Sequence, residues 1–136
     1  MTYRVPPHNL EAEVSIIGGL MVDPESLDVV SDLLTTEDFY KAAHQKIYQT
    51  ILDLNSKSQP VDIITISNQL NNKKELEAIG GPSALADILN QVPAAVNLRG
   101  YAEIVKEKAL LRRLISVNSE IINSAYDSNF ESLETF

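Results

Sequence analysis

The sequence predicts an all-α fold, a compact multi-helix globule followed by a long helix that begins a helical hairpin. Three observations lead there. Apolar residues recur at three- and four-residue spacing along most of the chain, as helices with one buried side require. Pro and Gly mostly punctuate those stretches instead of falling inside them. The last periodic stretch, from Leu98 to Tyr126, would be about 43 Å long, whereas the preceding residues can make a globule only ~30–35 Å across, so part of it must project.

The elements follow in order. Pro6-Pro7 forces an extended entry, and Asn9 is placed to cap a helix whose first turn holds Glu11 and Glu13, where carboxylates favour the helix dipole. Leu10, Val14, Ile17 and Met21 form its expected core stripe. Gly18-Gly19 interrupts this helix and predicts close approach of another one. Asp23-Pro24 stops it and starts a second helix carrying Leu27, Val30 and Leu34. Thr35 or Thr36 caps a short turn with Glu37 and Asp38 at its acidic start, and Phe39 and Tyr40 follow as bulky anchors. Ile47, Ile51 and Leu54 mark one face of a helix from Lys41 to about Asn55.

A polar loop ends at Pro60. The run Val61 to Ile66 could be a strand, but no second strand is visible to pair with it, so a helix capped by Asp62 is expected, burying Ile66 and Leu70. Glu75 to Ile79 makes a single turn stopped by Gly80-Gly81. Pro82 opens a helix burying Leu85, Ile88 and Leu89 that ends before Pro93. Asn97 caps the long helix, whose apolar side carries Leu98, Tyr101, Val105, Leu111, Ile115, Ile122 and Ala125. Ser128-Asn129 reads as a turn, and Phe130, Leu133 and Phe136 begin a return helix that is cut short. The expected division is a globular helical subdomain over 1–96 and a hairpin over 97–136.

Composition narrows the function. The 136 residues include no Cys, which excludes disulfides and thiolate metal sites. No apolar run reaches the ~20 residues of a membrane span, and no leader-like stretch opens the chain, so a cytoplasmic protein is expected. A net charge of −8 opposes binding of nucleic acid by the surface as a whole. Arg99, Lys106, Lys108, Arg112 and Arg113 are nevertheless concentrated near the end. With only Tyr101 interleaved they offer no stacking platform, and alternation with Glu103 and Glu107 suggests a solvated face with i,i+4 pairing.

A search for chemistry finds none. No P-loop, G-x-G-x-x-G, H-E-x-x-H or EF-hand pattern occurs. His8 and His44 stand isolated from carboxylates at metal-ligand spacing. The pairs Glu11/Glu13 and Glu37/Asp38 fall at helix starts, where capping and dipole effects account for them. No catalytic, cofactor-binding or metal-binding residue is therefore assigned, and binding to other proteins is what an unpaired long helix suggests.

Certain blocks, in order, resemble the N-terminal domain of replicative DNA helicases of the DnaB family. They are Pro6-Pro7-His8-Asn9-Leu10-Glu11-Ala12-Glu13, Val22-Asp23-Pro24, and Asp38-Phe39-Tyr40 with His44 to Tyr48. Then come Pro60-Val61-Asp62 with Thr65, Glu75-Leu76 with Ile79-Gly80-Gly81, and Val92-Pro93 with Asn97. Tyr101 to Lys108 and Leu111-Arg112-Arg113-Leu114-Ile115 close the series.

The resemblance implies a collar domain of a ring-shaped hexamer. Hairpins pair into dimers, the helicase-binding domain of primase docks on the collar, and a helicase loader engages the assembly. It places ATP, Mg and most DNA contact in a motor domain outside this stretch, and implies no membrane association. Residues affecting primase contact or collar packing would fall on Ile115 and Ile121, with Ile115 either a dimer-packing or a primase-contacting residue, and Glu11 is linked to primase coupling. Together with Tyr101, Leu111, Arg112 and Ile122 these form the expected protein-interaction set. Ala84 stands where the family commonly has an aromatic residue. Two competing readings are a stand-alone helical adaptor of the replisome and a single-stranded DNA-binding module built on residues 99–113.

Overall fold

Asn9 adopts an extended conformation, and its side chain accepts from the Ala12 amide at 2.9 Å, starting α1 (Leu10–Val22). The structure is a computed structural model and describes residues 4–93 and 96–127. After a 3₁₀ turn at Pro24–Ser26 come α2 (Leu27–Leu33), a 3₁₀ turn at Thr36–Asp38 and α3 (Ala42–Ser56). Then follow α4 (Ile63–Asn72), a 3₁₀ turn at Glu77–Ile79, α5 (Gly81–Asn90) and α6 (Leu98–Asp127). The described residues contain no strand, so the all-α prediction holds. The Val61–Ile66 run is helical from Ile63. There Asp62 Oδ1 accepts from Thr65 N at 2.8 Å while Thr65 Oγ1 accepts from Asp62 N at 3.0 Å, a reciprocal cap that a strand could not use. The return helix expected around Phe130, Leu133 and Phe136 lies outside the described residues.

The stripe expected on α1 is borne out at Ile17 and Met21 and corrected at Leu10 and Val14. Leu10 is exposed and Val14 half-buried, while Ala12, Glu13, Ile16, Ile17, Leu20 and Met21 are buried. Alpha-helical periodicity misleads here because α1 is the central helix, packed against α3, α5 and α6. Gly18-Gly19 does not interrupt it. A Cβ on Gly18 would lie 2.0 Å from Val92 Cγ2, and one on Gly19 would lie 2.5 Å from Leu98 Cδ2. The close approach expected at these glycines is present.

Around α1 the core is aliphatic, with Phe39 and Tyr48 as its large rings, 4.8 Å apart between centroids. Tyr40, by contrast, is exposed, and Leu89 is only partly buried. Gly80 closes the 3₁₀ turn with φ +103°, a left-handed conformation that suits glycine.

The first half of α6 belongs to this core. Leu98, Ala102, Val105 and Ala109 are buried against α1 and α2. Beyond Ala109 no described residue of α6 is buried, so the distal helix projects as an arm. At 30 residues α6 is about 45 Å long, in line with the projection expected from its length.

Candidate protein-docking surfaces

Three features of the surface concern binding: the distal arm, the junction holding the arm to the globule, and a groove beside α1. The arm presents Leu110, Leu111, Leu114, Ile115, Val117, Ile121, Ile122 and Tyr126, all exposed. Ile115, at 52% exposure, is well short of burial. Leu110, Leu114, Val117 and Ile121 follow i, i+4, i+7, i+11 spacing, so the sequence carried a signal for Leu110, Leu114 and Val117 that the expected interaction set omitted. Arg113, Glu120 and Asp127 lie among the polar residues that share the arm with this stripe.

At the arm's base Lys106, Arg112 and Arg113 are engaged, which corrects the expectation of a solvated face for these three of the five basic residues. Asp38 is fully buried, and its Oδ2 accepts from Lys106 Nζ at 3.1 Å and from Thr35 N at 2.8 Å. Its Oδ1 lies 3.3 Å from Arg113 Nη2. Arg112 donates to the Asp38 carbonyl at 2.7 Å and to the Pro7 carbonyl at 2.8 Å, and its guanidinium lies 5.4 Å from the Tyr40 ring centroid. Tyr40 in turn stacks on His8, with centroids 4.3 Å apart. Local i,i+4 pairing is present between Arg99 and Glu103, at 3.5 Å and largely exposed. Sequence reasoning assigned Asp38 to dipole stabilisation alone, because partners 68 to 75 residues away leave no mark in local spacing.

His44 is likewise not isolated. Its Nδ1 lies 2.7 Å from Glu13 Oε1, and both side chains are buried. Glu13 also accepts from the Tyr40 amide at 2.7 Å and the Lys41 amide at 3.3 Å, just before α3 begins. A carboxylate from α1 thus satisfies backbone donors leading into α3, where Lys41 provides no side-chain cap.

Glu11 and Tyr101 are brought together. With Asn9, Val14, Gln91 and Ile104 they line a groove of about 490 Å³ between α1, the end of α5 and α6. Leu111 lies apart from it, in a shallow apolar hollow with Leu33, Leu110 and the stems of Glu103, Lys106 and Glu107. Ile115, Ile121 and Ile122 lie farther along α6. Ala84 is partly buried against the Gly80 turn. Among the described residues no group of three or more His, Cys, Asp or Glu could hold a metal ion, and no helix is long and apolar enough to cross a membrane.

Comparison with known proteins agrees with this architecture. A family model described as the DnaB-like helicase N-terminal domain matches residues 5–107. The chain is 44% identical over 123 residues to the replicative DNA helicase DnaC of Bacillus subtilis, covering 90% of this chain and 27% of that protein. The chain spans about a quarter of the length of the curated relatives it matches. The crystal structure of the N-terminal domain of DnaB helicase from Mycobacterium tuberculosis superposes with a TM-score of 0.88 at 38% identity, covering 91% of this chain and 89% of that one. A DnaB-like replicative helicase, whose structure was described with its interactions with primase, matches with a TM-score of 0.74 at 28% identity. That match covers 87% of this chain and 28% of the helicase.

Proposed function

The chain belongs to the DnaB-like helicase N-terminal domain family, and from that premise we propose that it organises a replicative helicase ring and receives its partners while a separate motor domain does the chemistry. In this reading the distal arm of α6 pairs with the arm of a second copy. Three such pairs close a hexameric collar. The division expected from the sequence, a globule over 1–96 and a hairpin from 97, enters the proposal with the base of α6 shared between the two.

Primase docks through its helicase-binding domain on the Glu11/Tyr101 groove and the Leu111–Ile115 edge, and a loader engages the assembled helicase. ATP and Mg are used, and DNA is unwound 5′ to 3′, by the motor domain of the full-length protein. The setting is the bacterial cytoplasm, at the replication fork.

The observation that carries this reading is the exposed apolar stripe on the arm, from Leu110 to Tyr126. Half-exposed Leu and Ile side chains gain on the order of 1 kcal/mol each when covered, so a partner helix is the natural occupant. A solved relative described with primase supports the second half. Sedimentation velocity over a concentration series should show reversible association of the chain. Calorimetric titration with the helicase-binding domain of primase should show saturable binding, weakened by combined Glu11→Ala and Tyr101→Ala. A chain that stays monomeric at high concentration and leaves primase unbound would contradict the proposal.

A further inference from the structure

We propose that Arg112 is a positioning residue that latches the extended N-terminal strap (residues 4–9, ahead of α1) and the base of the projecting arm to one another, so that the arm's direction depends on the strap being in place. The planar guanidinium spans two backbone carbonyls from distant parts of the chain, Pro7 at 2.8 Å and Asp38 at 2.7 Å. Its two terminal nitrogens hold these acceptors at a fixed spread in one plane, whereas the donors of a Lys ammonium all leave one nitrogen at the end of a flexible stem. One face of the group lies over Tyr40, and Tyr40 stacks on His8, so the strap is gripped by its carbonyl and by its ring together. Val5 is exposed and His8 Nδ1 lies 2.7 Å from the carbonyl of Pro6, two residues back.

Position on α6 gives the contact its leverage. Ala109 is the last buried residue of the helix, and Arg112 follows it by less than one turn, where core packing stops constraining the arm. Lys106 and Arg113 hold the Asp38 carboxylate nearby, but Arg113 does so at 3.3 Å with a largely exposed side chain. Among the described residues, Arg112 is hydrogen-bonded from α6 both to the turn before α3 and to the strap, whereas Lys106 and Arg113 reach only Asp38. Arm direction sets whether two apolar stripes can meet along their length, so the latch also tunes the pairing proposed above; that consequence rests on that reading, whereas the latch itself does not.

The absence of Cys makes a direct test simple. Spin labels at Asn68→Cys on α4 and Glu120→Cys on the arm, both exposed positions, report the globule-to-arm distance by pulsed electron resonance. Diluting labelled with unlabelled chain restricts the signal to intrachain distances, which are read whether or not copies associate. The parent should give one narrow distribution. Arg112→Ala and Arg112→Lys should both broaden it, and Arg113→Ala should leave it narrow. Removing residues 1–8 while leaving Arg112 intact should broaden it as well, which keeps the question answerable if the Arg112 variants fold poorly. A distribution as narrow in Arg112→Ala as in the parent, or restored by Lys, or unaffected by loss of the strap, would overturn the latch. Sedimentation of the same variants separates the two readings. A latch that fails leaves self-association unchanged, and a failed pairing leaves the distance changes in place with no association in the parent.

Discussion

The ring of His44 on α3 donates from Nδ1 to Glu13 Oε1 on α1 at 2.7 Å, linking residues 31 positions apart inside the core. The same carboxylate accepts from the Tyr40 and Lys41 amides. Glu13→Gln replaces one acceptor oxygen with an NH₂ that faces other donors. Loss of charge-assisted bonds at a buried site predicts a destabilisation of about 2 kcal/mol. Urea denaturation followed by circular dichroism checks it, and a change within a few tenths of a kcal/mol would mean that the pair is held for some other purpose.

Gly18 and Gly19 predict unequal responses to Ala. At Gly18 the added Cβ meets the branched Val92 and lies 3.1 Å from the Ile88 carbonyl, so backbone must move. At Gly19 it meets the far end of Leu98, which can change rotamer. Gly18→Ala should cost roughly 1–3 kcal/mol. Gly19→Ala should cost less, since the gain in helix propensity of about 1 kcal/mol offsets part of the clash. Thermal melts of the two variants decide the order.

Tyr48 predicts an alkaline dependence. Its hydroxyl donates to the Leu34 carbonyl at 3.0 Å. Burial, assisted by the Asp38 charge, pushes its pKa from 10.0 up to about 12. A raised folded-state value means that the contribution is fully present below pH 10 and is lost as pH rises from there towards about 12. Tyr48→Phe should flatten stability against pH in that window and cost about 1 kcal/mol at neutral pH. Denaturation midpoints measured across the window test both parts.

Helix number, order and most caps were legible because they rest on local chemistry. Asn9, Asp62 and Asn97 cap through neighbours three residues on, and such spacing is written in the sequence. Periodicity reports Ile17 and Met21 on α1 but leaves out Ala12, Ile16 and Leu20, because a central helix is covered on several sides and has no single face to report. Glu13 and Asp38 were read as dipole partners for the same reason in reverse. Their position in a first turn is local, whereas His44, Lys106, Arg112 and Arg113 reach them only through tertiary packing. Glu11 and Tyr101, ninety residues apart in the sequence, meet in one groove, whereas the Arg112 side chain, expected to contact other proteins, faces Asp38 and Pro7 within its own chain.

Ile115 tests the central claim most directly. It is half-exposed on the arm, beyond the last buried residue of α6, so Ile115→Asn should barely alter the stability of the globule. The same change puts an amide into any apolar seam formed with a second arm, at a cost of roughly 1–3 kcal/mol per copy. Sedimentation equilibrium of parent and variant should therefore show association weakened about tenfold or more in the variant, with unchanged melting of the dissociated chain. Equal association constants for the two would contradict pairing through the arm.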